Sequence, residues 1–232
     1  MKKHGIVASL LAGALFVTGS ASLVTPAFAE TAAKKEASAV TAPAGIYKLD
    51  ATHAALLWSF KHNDISNYTG RFQALDATLN LDPKQIDKSS IEFTIDPKSV
   101  QTSYPADYKA FHKDSAYESW NEDISRNPSF LNSDKFPNIT FKSTKVEQTG
   151  ALTARVTGDL TFLGVTKPVT LNATFLGGIA SHPYMKVPAL GFSAEGHFNR
   201  KDFGLEPGPV GEEITIRFDG EFVQQSAPAK AN

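Results

Sequence analysis

The chain contains no cysteine. Disulfides, thiol nucleophiles, iron–sulfur clusters and Cys-ligated zinc are thereby excluded, and the fold must be held by its core alone. Positive charge is not in excess either, with 23 Lys+Arg against 24 Asp+Glu. A nucleic-acid binder needs a basic surface to displace counterions from phosphates, and strong docking onto anionic lipid needs the same. Metal-ligand spacing is missing among the histidines. His53 and His62 are nine residues apart and fall on opposite faces of a regular strand, and His112, His182 and His197 lie in separate segments. The Gly-x-Ser-x-Gly elbow, the P-loop and His-Glu-x-x-His are all absent.

What is present begins with an export signal. MKKH carries two lysines, Gly5 to Val17 is an uncharged and mostly apolar run, and Ala27-Phe28-Ala29 supplies small residues before Glu30. These are the n-region, h-region and cleavage site of a secretory signal peptide, in an apolar run too short for a membrane span. Cleavage is expected after Ala29. Removing residues 1–29 from 232 leaves 203, enough for one substantial core, with 21 basic and 24 acidic residues once Lys2 and Lys3 are gone. Residues 30–45 have no periodic apolar face and read as a flexible leader; 224–232 read as a disordered tail. The ordered domain is expected over 46–223.

Within that domain alternation of period two dominates. Leu56, Trp58, Phe60 and His62 share one face, as do Ile91, Phe93 and Ile95, and Ile139 and Phe141. So do Leu160 and Phe162; Val169, Leu171, Ala173 and Phe175; Phe192, Ala194, Gly196 and Phe198; and Ile214, Ile216, Phe218, Gly220 and Phe222. Turns are expected at Asp82-Pro83, Gln148 to Gly150, Gly164 to Pro168, Gly177-Gly178 and Pro207 to Pro209. About eight antiparallel strands follow, each with one apolar face, in either a sandwich or an up-and-down barrel. Residues 104–126 lack alternation and are rich in charge and helix formers, so they read as a short helical insertion ending at Asn127-Pro128. Its acidic residues Asp107, Asp114, Glu118, Glu122 and Asp123 read as a solvated helix face.

Several motifs stand in a fixed order: YKLDATHAALLWSFKHNDISNYTGRF, FLNSDKFPNITFKST, GDLTFLGVTKPVTLNATF, GFSAEGHFNRKDFGL and ITIRFDGEF. Over residues 46–223 this set resembles the YceI family of exported bacterial proteins. The resemblance implies an all-β, eight-stranded antiparallel, up-and-down lipocalin-like barrel with a short helical insertion. It implies an apolar tunnel for a polyisoprenoid lipid, such as an isoprenoid quinone or a precursor of one, and a periplasmic or secreted location. It brings no metal, no cofactor other than that lipid, and no established reaction. Contact with a membrane during loading and pairing into a homodimer through the barrel surface are compatible with it. The chain departs from the family at Ser99-Val100-Gln101-Thr102, where Ser-Ile-Asp-Thr is common.

The expected ligand-binding residues are Leu56, Trp58, Phe60, His62, Phe72, Phe93, Ile95, Phe141, Leu160, Phe162, Phe192, Arg200 and Phe218. Most are apolar because such pockets are, with a few polar groups fixing orientation. His62 is either a satisfied structural group or a partner for a quinone carbonyl or phenol hydroxyl. Arg200 either pairs with Asp202 to brace the turn that Gly204 completes, or meets a head group. A carrier is the leading expectation. The alternatives are an enzyme acting on a prenyl lipid, and an interaction protein whose barrel is filled by its own side chains.

Overall fold

The computed structural model describes residues 38–206 and 210–225. The expected signal peptide, the first part of the leader and the end of the tail lie outside the described residues, as do Pro207 to Pro209. The described strands are β1 (Gly45–His62), β2 (Ser66–Phe72), β3 (Leu75–Leu81), β4 (Ser90–Ile95), β5 (Val100–Thr102), β6 (Ile139–Gln148), β7 (Thr153–Phe162), β8 (Val165–Ile179), β9 (Ala189–Asn199) and β10 (Glu213–Gln224). Two short helices, α1 (Tyr108–Phe111) and α2 (Trp120–Arg126), interrupt them between β5 and β6.

All neighbouring strands are antiparallel, in the order β10-β9-β8-β7-β6-β4-β3-β1, and β10 pairs back onto β1 from Tyr47↔Gln224 to Ser59↔Thr215. The sheet is thus a closed eight-stranded barrel, as alternation and the family resemblance together predict. The two extra strands are continuations of the wall. The first residues of β1 pair with β3 and its last seven with β2, so β2 and β3 are two halves of one wall strand broken at Gln73-Ala74. β5 extends the line of β4 in the same way after a turn at 96–99, and pairs with β2. The outer edge of β5 is covered from α2. The backbone N–H and the hydroxyl of Thr102 both donate to the Asn121 side-chain oxygen at 2.9 Å, which satisfies part of an otherwise open edge.

Two expected turns are corrected. The break placed at 164–168 is only Leu163-Gly164, with φ of 51° and 76°. A two-residue turn of this hand matches the twist of its strands and lets β8 start at Val165. Gly177-Gly178 is not a turn at all. It lies inside β8 at a register shift against β9, where the missing side chains accommodate a bulge. The helical insertion falls where expected, with Ser119 and Asp107 as N-caps and α2 ending at Arg126. One of its acids is not solvated: Asp123 is buried and accepts from the Tyr108 hydroxyl at 2.5 Å and from Asn127 Nδ2 at 2.7 Å. The first bond pins α2 to α1 and the second stays at the end of α2; burial together with Asp123 pushes the Tyr108 pKa up.

The inner face is most deeply buried at one end of the barrel. Tyr47 and Phe222 are 0% and 1% exposed there, beside Leu49, Leu79 and Leu81. Within the stretch read as a leader, 38–44 lies against this end: Ala42 is buried, Ala39 N–H donates to Ala151, and the Tyr47 hydroxyl donates to Pro43 at 2.8 Å. Near the same end β1 bulges. Asp50 pairs with Glu221 and Ala54 with Gly220, leaving 51–53 looped out. The Asp50 carboxylate organises the loop, accepting from Thr52 through both N–H and hydroxyl and pairing with His53 Nδ1 at 2.9 Å.

The Thr52 hydroxyl and His53 hold the Asp50 pKa at about 2, against an ordinary 3.8. A depressed carboxylate contributes stability that is complete above its unfolded value and is lost as pH falls through the folded one. Carbon NMR of the Asp50 carboxyl should therefore show a midpoint near 2, and the bulge contribution should vanish between about pH 4 and 2. A midpoint near the ordinary value would mean that these bonds do not persist in solution.

Candidate functional site

Above the packed end the inner face encloses a cavity of about 940 Å³. The alternation of β1 aims Leu56, Trp58, Phe60 and His62 into it from one wall. Phe72, Phe93, Ile95, Phe141, Leu160, Phe162 and Phe218 enter from the other walls, and Arg200 from the turn after β9. Every expected site residue except Phe192 therefore lines one space, which corrects the filled-barrel alternative. Phe192 also points inward, but lower. It borders a second, apolar cavity of about 100 Å³ near the packed end, together with Val40, Val146, Val156 and Phe175. Alternation reports which face a side chain takes and is silent about its height in the barrel.

The large rings leave the lumen open because they lie along its wall. Trp58 stacks on Phe60 with centroids 5.8 Å apart and planes at 13°, and Phe60 on Tyr68 at 5.4 Å. Trp58 sits directly opposite Gly70 on β2, and a β-carbon there would overlap the indole ring. Gly70 is thus the space into which Trp58 retreats.

The insertion supplies a roof. Trp120 lines the cavity from above, donates through Nε1 to the Tyr68 hydroxyl at 2.7 Å, and is surrounded by the rings of Tyr104, Tyr108, His112 and Phe130 at 5.9 to 6.2 Å. Tyr104, Trp120 and Phe130 were not expected in the site. The signal was their aromatic density in a segment that could not be assigned to a face.

Polar groups in the lining are few and include His62, Tyr68, Arg200 and Glu206. Arg200 is 6% exposed; one Nη donates to the Glu206 carbonyl, while Nε has no partner. The expected ion pair with Asp202 does not form. Gly204 does take the left-handed conformation, with φ of 84°, and Asn199 rather than Arg200 caps the turn by accepting from Lys201 N–H. Burial pushes the Arg200 pKa down, opposed by the nearby Glu212 carboxylate. Trp58 Nε1 is likewise buried without a partner. Among the described residues no cluster of His, Asp and Glu could hold a metal ion. The site can therefore enclose a long apolar body, with Arg200 at its border.

A closed antiparallel barrel around an apolar cavity of this size defines a lipocalin-like binding protein. The chain belongs to the YceI family: residues 47–222 match the YceI-like domain. Protein YceI of Shigella flexneri is 35% identical over 192 residues, covering 81% of this chain and 92% of that one. Among solved structures, BcnA of Burkholderia cenocepacia superimposes with a TM-score of 0.61 at 21% identity, covering 75% of this chain and 98% of that one. A polyisoprenoid binding domain from Saccharophagus degradans gives 0.52 at 14% identity, covering 77% and 98%. At these identities the structural likeness is one of fold.

Gly70→Ala tests the wall arrangement. The added methyl drives Trp58 off its seat, so the variant should lose about 1 to 3 kcal/mol of stability, as overpacking does. It should also take up less of an apolar dye in a titration. Unchanged melting and unchanged dye capacity would show that Trp58 does not depend on Gly70.

Proposed function

We propose that this protein is a binding or carrier protein that sequesters a long-chain polyisoprenoid, an isoprenoid quinone or a precursor of one, and works outside the cytoplasm. The observation that carries the reading is the 940 Å³ apolar cavity inside the closed barrel, with Arg200 in its lining. Since an apolar cavity of about 150 Å³ holds one benzene, this space has room for on the order of forty carbons. Such a chain is insoluble in water, and each CH₂ removed from water contributes roughly 0.8 kcal/mol to binding. Burial alone then drives capture, with no covalent step.

The Saccharophagus domain, a structural neighbour described as polyisoprenoid binding, supports the ligand class. The secretory pattern at residues 1–29 supports export. A cargo this apolar has to be taken from a membrane and returned to one, so transient membrane contact belongs to the same reading. A carrier is favoured over an enzyme by the chemistry of the lining. Among the described residues, the hydrogen bond of the lining His62 is with neighbouring Asn63, not with a carboxylate that would orient it as a base.

Native mass spectrometry of the mature protein, purified without detergent and then extracted with solvent, should release a prenyl lipid. A clean unliganded mass that stays unchanged after incubation with prenyl quinones would sink the proposal. Arg200→Gln should weaken binding of a prenyl quinone about tenfold, the scale of one charge-assisted hydrogen bond, and leave binding of a plain hydrocarbon unchanged. Equal loss for both ligands would place Arg200 in the structure of the turn and not at the head group.

A further inference from the structure

The two cavities share four residues, Phe93, Leu171, Ala194 and Phe218. We infer that the Phe93–Phe218 ring pair is the floor of the binding cavity and sets the longest chain it accepts; the inference rests on the carrier reading and concerns a different part of the site. Phe93 comes from β4 and Phe218 from β10. These strands are separated by β3 and β1 around an eight-stranded ring, so their side chains meet across the lumen. The rings meet edge to face, with centroids 5.0 Å apart and planes at 72°.

This floor is rooted in the packed end. Phe218 is buried and lies over Gly220 on its own strand, where a β-carbon would overlap the ring. Phe222 backs it at 6.0 Å, and Phe192 follows at 6.4 Å. A chain advancing from above thus meets a ring with packed aromatics behind it. Phe93 is only half-buried and lines both cavities. Below the pair remains the 100 Å³ compartment, apolar and bordered by the same two rings.

The test loads the full mature protein with graded prenols and, separately, graded n-alkanols, and reads occupancy by native mass spectrometry. Wild type should show a sharp length limit in both series. Phe93→Ala removes half of the floor and joins the compartments. Its limit should rise by about one to two isoprene units, given that about 150 Å³ holds six ring carbons. Ala173→Leu fills the lower compartment alone, since Ala173 borders that space and not the upper one. By itself it should leave the wild-type limit unchanged, and combined with Phe93→Ala it should cancel the gain. Circular dichroism and melting confirm that each variant is folded.

The floor is overturned if Ala173→Leu alone shortens the limit, because the chain would then already reach below the pair. It is equally overturned if folded Phe93→Ala keeps the wild-type limit. Binding of n-alkanols with a length limit but of no prenol would sink the carrier reading while leaving the floor intact. Binding of neither series would sink both.

Discussion

Everything in this molecule depends on the pairing of its first strand with its last. β1 and β10 hydrogen-bond from Tyr47↔Gln224 to Ser59↔Thr215, and this seam turns a sheet into a wall with an inside. Side chains on an open sheet would collapse onto whatever covers it; on a closed one they can only meet each other across the lumen. Near Tyr47 and Phe222 they meet and pack. Higher up they do not, because the rings of Trp58, Phe60 and Tyr68 lie against the wall. The open space is about 940 Å³ and its lining is mostly apolar, so it suits an apolar occupant better than water.

The two ends of the barrel divide the work. The packed end supplies the nonpolar burial that holds the closed wall together without a disulfide. The other end is finished by residues that contribute little regular structure: α1 and α2 together span eleven residues, and Trp120 on α2 with the flanking Tyr104 and Phe130 lines the cavity. Their attachment is partly polar. Asn121 holds Thr102 and Trp120 holds Tyr68, while Asp123 holds Tyr108 within the insertion. These directional bonds help to fix the roof without filling the space beneath it.

How much of this was legible in the sequence follows from what each signal encodes. Period-two alternation encodes a face, so the inward set on β1, β6, β7 and β10 could be read directly. Height along the axis depends on strand register, which is settled by pairing partners far away in the chain, so alternation places Phe192 on the inner face without showing that it borders the lower cavity. The broken wall strands β2–β3 and β4–β5 carry too few residues on either side of the break to show that they continue one another. The roof aromatics obey neither period and gave no direction. Arg200 illustrates a third gap: Arg-x-Asp suggests a local ion pair, but the turn aims the guanidinium inward to the Glu206 carbonyl instead. Closure itself came from the family resemblance, since the same alternation would also suit a sandwich.

The placement of the two tryptophans has a practical consequence. The chain has only two, and both Trp58 and Trp120 border the large cavity, one in the wall and one in the roof. The intrinsic fluorescence of the protein is therefore emitted almost entirely from the border of that cavity. A light-absorbing molecule placed there would quench it by energy transfer, and its removal would restore it. Filling and emptying of the cavity can thus be followed in real time, with no label attached and no residue changed.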